Sequence, residues 1–309
     1  MNAVLKLGLV GFGKIARDQH LPALARTEGA HLVAVASRNA DAPGVANYAD
    51  LEAMLAGEPD LDAVALCQPP QPRYQAARVA LEAGKHVFLE KPPGATVTEV
   101  QALLALAEAR GVTLFASWHS RFAPAVEPAR AWLQGRRPTR IAITWKEDVR
   151  YWHPGQAWIF EAGGFGVFDP GINALSILTA LLDEPIRLVE AELETPSNRQ
   201  APIAATLSLE TAGGAPVDAV FDFRQTGPQT WDLVVETGDG EIRLSDGGAR
   251  LAIDGTPHPL ALEAEYPGLY RRFVSLVREG RSEVDLAPLQ LVADAFLRAR
   301  YRSTDPFED

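Results

Sequence analysis

The sequence predicts an α/β chain: a doubly wound parallel sheet first, then an α+β domain built on a large open, mostly antiparallel sheet. Three observations predict it. Up to residue 120, short apolar runs alternate with helical patterns and turn residues at intervals of roughly twenty to thirty residues, the grammar of parallel strands joined by crossover helices. Beyond Arg121 the runs alternate apolar and polar residues with Gly or Pro between them, the pattern of a sheet with one exposed face. The length of 309 residues suffices for two cores. Two domains are expected, 1–120 and 121–309, and the last helix, about 288–300, is a candidate to pack back on the first.

Residues 4–10 form the first strand, and Gly11-Phe12-Gly13-Lys14-Ile15-Ala16 follows at once. This is the Rossmann dinucleotide fingerprint in its G-x-G-x-x-A form. The first Gly permits the tight turn, the second lets backbone approach a pyrophosphate, and the small third residue lets helix and strand pack closely. The helix expected over 15–26 is interrupted at His20-Leu21-Pro22 and is either short or restarted at Pro22. The second strand, 32–36, ends in Ser37-Arg38 where an NAD site usually offers an acid to the ribose. A hydroxyl and a guanidinium suit a 2′-phosphate, so NADP is preferred over NAD. The alternative is that Arg38 stacks on the adenine and both cofactors bind.

A helix over 50–56 precedes the third strand, 62–67, whose Cys67-Gln68-Pro69 leads into a stiff proline-rich loop over 68–72. A helix over 74–83, a strand over 86–89, a helix over 98–110 and a strand over 112–116 complete the unit. The glycine loop, Pro69, Lys91 and His119 all fall at the C-terminal edge of the sheet, where open α/β sheets bind ligands. Lys91, in Phe88-Leu89-Glu90-Lys91-Pro92-Pro93, follows a buried strand, and prolines fix the backbone beyond it. Either it stands rigidly beside cofactor and substrate, or it is a strand-end lysine paired with Glu90.

After a helix over 124–134 come strands over 140–146, 188–194, 204–210, 217–223, 230–237, 240–245 and 250–253. Gly238-Asp239-Gly240 and Asp246-Gly247-Gly248 are read as hairpin turns. A helix over 171–182 is inserted early, and helices over 266–279 and about 288–300 close the chain. Residues 145–173 gather Glu147, Trp152, His153, a flexible Gly163-Gly164-Phe165-Gly166 run, Asp169 and Asn173. Asp169 suits a helix N-cap, and it shares a face with Asn173 if the helix begins at or before it. A carboxylate, amide, imidazole and indole are the equipment of a sugar site. The plainer alternatives are a cap for Asp169, a strand end for Glu147, a core aromatic for Trp152 and a neighbour-satisfied loop residue for His153. His119 and His153 lack Cys partners and metal-type spacing, so no metal site is expected.

A net charge of −11 with no basic block argues against nucleic acid or an anionic membrane as partner. No apolar segment approaches the ~20 residues of a membrane span, and no signal peptide is visible. A lone Cys67, read as a buried inert thiol, fits a reducing cytoplasm. The uncovered sheet face makes a homo-oligomer plausible.

Val10-Gly11-Phe12-Gly13-Lys14-Ile15-Ala16, Glu90-Lys91-Pro92 and the segment 166–173 together resemble the Gfo/Idh/MocA family of NAD(P)-dependent oxidoreductases. Longer strings, Leu89-Glu90-Lys91-Pro92-Pro93-Gly94-Ala95, Trp145-Lys146-Glu147-Asp148-Val149-Arg150 and Trp152-His153-Pro154-Gly155-Gln156, are similar to its aldose 1-dehydrogenases acting on L-arabinose and D-galactose. The resemblance implies oxidation of a sugar at C1 to the aldonolactone. It implies a cofactor site of Gly11, Phe12, Gly13, Lys14, Ile15, Ser37, Arg38, Cys67, Gln68, Pro69, Glu90 and Lys91. Many members carry a His four residues after the Asp; here it is Asn173, which cannot titrate. The acid–base role then moves to Asp169, Lys91 or both. The reading adopted is Asp169 as proton acceptor and Lys91 as polarising group. His119, Glu147, His153 and Asn173 would hold the other hydroxyls, and Trp152 and Trp231 would be walls. Another oxidoreductase of the family, acting on an inositol, a dihydrodiol or another sugar position, and a non-catalytic dinucleotide sensor are the alternatives.

Overall fold

The computed structural model describes residues 4–262 and 265–308. The described parts of Met1–His119 and Glu265–Leu286 form one compact unit, and those of Ser120–Ala264 and Ala287–Asp309 another.

The first unit holds strands β1 (Leu5–Val10), β2 (Ala30–Ala36), β3 (Ala46–Tyr48), β4 (Ala63–Leu66), β5 (His86–Glu90) and β6 (Leu114–Ser117), in the order β3-β2-β1-β4-β5-β6. All its pairings are parallel. The order reverses between β2-β1 and β4, the switch point of a doubly wound sheet. Helices α1 (Leu21–Ala25), α2 (Leu51–Gly57), α3 (Pro70–Glu82) and α4 (Val97–Arg110) connect the strands. Local sequence explains their ends. Asp50 caps α2, and Thr96 with Glu99 forms a reciprocal capping box on α4. Gly111, at φ 65°, ends α4 in the left-handed region. The expected proline-rich loop is instead the first turn of α3, because prolines there forgo only amides that lack helical partners anyway. The Ala30 start of β2 and the short edge strand β3 lie outside the expected runs, since a three-residue strand carries almost no periodic signal.

Between β1 and α1 the chain makes a wide turn, Ala16–His20, in which the Leu21 amide donates to the Ala16 carbonyl five residues back. This π-type turn accounts for the interruption at His20-Leu21-Pro22, and it leaves Ala16 and His20 both fully buried. Helix α5 (Val126–Leu133), the short α6 (Val149–Trp152), α7 (Phe168–Leu181), α8 (Glu265–Glu279) and α9 (Ala287–Arg298) follow in the chain. Helix α8 belongs to the first unit. Tyr270 stacks on Phe88 at 5.0 Å, and Phe273 meets Phe88 edge-on at 5.6 Å and Phe115 at 6.1 Å. Beyond it, Ser282 and Glu283 bond the backbone of β6.

The second unit holds β7 (Pro138–Lys146), β8 (Ile186–Pro196), β9 (Ala204–Thr211), β10 (Pro216–Asp222), β11 (Thr230–Thr237), β12 (Gly240–Ser245), β13 (Arg250–Ile253), β14 (Thr256–His258) and β15 (Arg300–Thr304). They form one sheet in the order β14-β13-β12-β11-β7-β10-β9-β8-β15. It is mixed: β7 runs parallel to β10, and β15 parallel to β8, while the other neighbours are antiparallel. Alternate residues, such as Val217, Ala219 and Phe221, are buried, while Asp218 between them is exposed.

Helix α9 belongs to the second unit: its apolar face packs on α7 and β8, with Phe296 against Phe168 at 5.6 Å, whereas the helix of this C-terminal part that joins the first unit is α8. Strand β15 follows α9 directly and replaces the last turn expected there. Asp246–Gly248 is the hairpin turn expected there, joining antiparallel β12 and β13 through a 3₁₀ turn. Gly163-Gly164-Phe165-Gly166 is close-packed, not a flexible run: a Cβ on Gly164 would strike the Trp158 carbonyl, and one on Gly166 the Pro202 carbonyl.

Phe273→Ala is expected to destabilise the protein by about 3–5 kcal/mol, the usual cost of a deleted core aromatic, measurable as a lower urea midpoint. A loss below about 1 kcal/mol would mean that α8 is not anchored through this ring.

Candidate active site

The glycine loop stands at the C-terminal end of β1. Gly11 takes φ +87°, and a Cβ there would crowd the backbone of Cys67 and Gln68, whereas one on Gly13 would meet nothing within 4 Å. The loop is therefore tight behind Gly11 and open in front of Gly13, as a backbone cradle for pyrophosphate requires. Phe12 is buried, while Lys14 and Ile15 are exposed and Lys14 pairs with Asp18 at 2.5 Å. At the end of β2 the Ser37 amide donates to the Tyr48 carbonyl. Arg38 is exposed, and its guanidinium has no hydrogen-bond or ion-pair partner among the described residues. Cys67 is half-buried rather than enclosed. The Gln68 side-chain oxygen is buried and lacks a hydrogen-bond partner among the described residues. An orphaned acceptor, an open glycine backbone and an uncommitted guanidinium along one sheet edge fit a dinucleotide.

Glu90 ends β5 with 3 % exposure. Its Oε1 accepts from the Tyr266 hydroxyl at 2.6 Å and from His20 Nε2 at 3.2 Å, and its Oε2 accepts from the Lys91 amide. His20 Nδ1 meets the Tyr270 hydroxyl at 2.7 Å. The Arg73 guanidinium, also buried, donates to the carbonyls of Gln68, Glu90 and Pro92, tying the β4 and β5 ends together. Lys91, on this turn, is half-buried, and its bond to Pro92 is cis. His119 accompanies the same unit: its ring lies 5.5 Å from Tyr266, nearly parallel, and Nδ1 is 2.8 Å from Glu265. Burial works to raise the Glu90 pKa, but the bond and charge of His20, the charge of His119 and the Tyr266 bond outweigh it and bring the carboxyl to about 2. Burial likewise works to lower His20, but Cys67 and Glu90 outweigh it and lift the imidazole to about 10. Both shifts run towards the charged forms, an imidazolium beside a carboxylate.

In the second unit, Glu147 is 2 % exposed at the end of β7. Oε2 accepts from Trp231 Nε1 at 2.8 Å, and Oε1 meets His153 Nε2 at 3.0 Å. His153 Nδ1 lies 3.8 Å from Asp169 Oδ2, so the imidazole sits between two buried carboxylates. Trp145 and Trp152 lie 5.9 and 4.8 Å from Trp231 and complete an aromatic wall. Asp169 is not the N-cap. Helix α7 begins at Phe168, Val167 occupies the cap position with no side-chain cap bond, and Asp169 lies inside the first turn. That places Asp169 and Asn173 on one helical face. Asn173 is half-buried, and its amide has no hydrogen-bond partner among the described residues.

The expected residues thus fall into two clusters. Gly11, Cys67, Gln68, Glu90, Lys91 and His119 belong to the first unit. Glu147, Trp152, His153, Asp169, Asn173 and Trp231 belong to the second. Sequence reasoning missed His20, Arg73, Tyr266 and Tyr270. The first carried a signal, as a polar residue at a break in a helical pattern. The others are polar groups whose burial only the folded chain reveals.

An open dinucleotide cradle and separate polar and aromatic clusters define a nicotinamide-dependent oxidoreductase. Residues 5–117 match the family described as "Oxidoreductase family, NAD-binding Rossmann fold", and the chain belongs to that Gfo/Idh/MocA family. It is 45 % identical to the galactose 1-dehydrogenase of Pseudomonas fluorescens over 305 residues, 99 % of each chain. It superposes on the D-galactose-1-dehydrogenase protein of Rhizobium etli with a TM-score of 0.94 and 55 % identity, covering 100 % of this chain and 99 % of that one. A 3-ketoreductase of Actinomadura kijaniata, in complex with TDP-benzene and NADP, shares the fold at a TM-score of 0.84 and 20 % identity, over 97 % and 99 % of the two chains.

The buried pair makes stability pH-dependent. Glu90 is depressed, so its contribution is present above 4.5 and is lost as pH falls towards about 2. His20 is raised, so its share is present below 6.5 and is lost as pH rises through about 10. In Glu90→Gln the acid dependence should disappear, and the alkaline one should shrink by the share that Glu90 contributes while the Cys67 share remains. Thermal melts of both proteins from acid to alkaline pH check this, and parallel curves would disprove the pairing.

Proposed function

We propose that this protein is an aldose 1-dehydrogenase that oxidises D-galactose or L-arabinose at C1 to the aldonolactone, with NADP preferred over NAD. The observation that carries this reading is the likeness, over nearly the whole of both chains, to two galactose 1-dehydrogenases. The clusters support it chemically. Buried carboxylates, an imidazole, a half-buried amide and three indoles suit vicinal hydroxyls and the C–H faces of a pyranose.

When bound, the dinucleotide supplies a hydride acceptor. The chain must align C1 and remove one proton. Lys91 hydrogen-bonds the C1 hydroxyl and polarises it. Asp169 accepts the hydroxyl proton as the C1–O bond becomes a carbonyl. A lactol hydroxyl is more acidic than an ordinary alcohol, so a carboxylate suffices where relatives use a titrating His, and Asn173 is left to hold a ring hydroxyl. Glu147 and His153 orient one another at that site, His119 contributes a further contact, and Trp152 and Trp231 are walls. For the cofactor, Gly11, Phe12, Gly13, Lys14 and Ile15 would hold the pyrophosphate, Cys67, Gln68, Pro69, Glu90 and Lys91 would form the rest of the site, and Ser37 with Arg38 would read a 2′-phosphate. The polar outer face of the second sheet is the surface for a homo-oligomer, and the cytoplasm is the compartment a lone unpaired cysteine suits.

Purified protein should turn over D-galactose and L-arabinose faster than D-xylose, D-glucose or myo-inositol, followed as reduced-nicotinamide absorbance. Turnover of only the latter group would move the reading to another substrate. Lys91→Ala should lower kcat by about a hundredfold or more, and near wild-type turnover would refute its role. Ser37→Asp with Arg38→Ile should shift kcat/KM towards NAD by about tenfold or more, since an acid repels the 2′-phosphate. An unchanged ratio would refute that readout.

A further inference from the structure

Lys91 carries the proposed chemistry, but the structure spends much more on the residue before it. Glu90 is almost wholly enclosed, and three donors converge on its two oxygens, two of them from distant parts of the chain and the third the adjacent Lys91 amide. None of them is needed to end a strand. His20 comes from the π-type turn after the glycine loop, which brings an imidazole to 0 % exposure. Tyr266 and Tyr270 come from α8, nearly two hundred residues further on in the chain. The His20 ring meets Tyr266 at 5.0 Å, Tyr270 at 5.7 Å and Phe88 at 5.6 Å, each edge-on, so it cannot turn without displacing a ring. The fixed carboxylate then grips the Lys91 amide, while Arg73 holds the carbonyls on either side of Lys91. Lys91 thus has its own amide held by Glu90 and the carbonyls of both its neighbours held by Arg73.

We propose that His20, Glu90, Tyr266 and Arg73 form a positioning device for Lys91, in which helix α8 sets the height and direction of the lysine through the Glu90 carboxylate. These are positioning residues, since they act on the lysine through its turn: Glu90 accepts from the Lys91 amide, Arg73 donates to the carbonyls of Glu90 and Pro92, and His20 and Tyr266 hold Glu90. The inference rests on the aldose-dehydrogenase reading for its kinetic readout, but its geometry does not. It also explains why an ion pair is retained where apolar residues would fill the space equally well: an apolar replacement would leave the Lys91 amide without its acceptor.

The test uses the full chain with Tyr266→Phe, Glu90→Gln and His20→Asn, alone and in a Lys91→Ala background. Each single variant should lower kcat with D-galactose by about tenfold, while in Tyr266→Phe and His20→Asn the KM and the fluorescence-measured Kd for NADPH move by less than about threefold. In the Lys91→Ala background the same changes should cost nothing further, because there is no lysine left to position. Amide exchange in the peptide containing Lys91 should quicken by about fivefold or more in each single variant. Equal losses in both backgrounds, or losses shared between kcat and cofactor affinity, would overturn the proposal in favour of general support of the fold. Tyr266→Phe removes a single oxygen and keeps the test valid if His20→Asn fails to fold. If the wild type oxidises no sugar, the substrate reading fails, and the exchange measurement alone decides the positioning device: unchanged exchange overturns it, faster exchange upholds it.

Discussion

A carboxylate without water must be surrounded by donors or give up its charge. Glu90 meets that constraint at the end of β5, and much of the first unit follows from it. The π-type turn after the glycine loop puts His20 within reach, and α8 returns to this unit with Tyr266 and Tyr270. The Phe88, Tyr270, Phe273 and Phe115 rings, Tyr270 stacked on Phe88 and the two others edge-on to it, pack beside the cluster. Removing one donor would leave a charged group short of a partner in a medium that cannot supply another, which costs more than the bond itself is worth. The network is therefore cooperative: each member is held because the others are.

The second unit solves the same problem with the same parts. Glu147 also ends a strand and is almost wholly buried. It also accepts from a histidine Nε2 and from an aromatic donor, here the Trp231 indole in place of a tyrosine hydroxyl. In both units the glutamate adjoins a residue with a proposed role in the reaction: Lys91 next in sequence to Glu90, and Asp169 beyond the far nitrogen of His153. A glutamate clamped by a histidine and an aromatic donor fixes direction without adding net charge when the histidine is protonated. A lysine salt bridge would fix it less well, because its long chain has rotamer freedom to lose.

Much of this architecture was legible in the sequence, for stated physical reasons. The glycine fingerprint, five of the six parallel strands and the outline of the second sheet announce themselves through periodicity and turn chemistry. Strands β3, β14 and β15 did not, because runs of three to five residues at a sheet edge bury too little to force a pattern. Helices α8 and α9 read alike as amphipathic stretches, and only the folded chain shows the Tyr270 and Phe273 rings of α8 against Phe88. Asp169 looked like a cap because caps and first-turn acids share the same sequence signature, and only the Phe168 start separates them.

The glycine run before α7 shows where local reading inverts its own logic. Gly163, Gly164 and Gly166 were legible as glycines but not as a reason for them. The structure gives the reason as contact: backbone carbonyls of Trp158 and Pro202 occupy the space a Cβ would need. Those contacts pin the chain entering α7, since the Val167 amide donates to the Pro202 carbonyl at 2.7 Å and the Gly166 amide to the Ile159 carbonyl at 2.9 Å. Helix α7 thus starts at a fixed height, and Asp169, one residue in, inherits that height beside His153. Gly164 serves here as the small residue that lets two backbones touch, while Gly163 and Gly166 also take left-handed φ values of 80° and 53°, so close approach and backbone freedom together place the carboxylate.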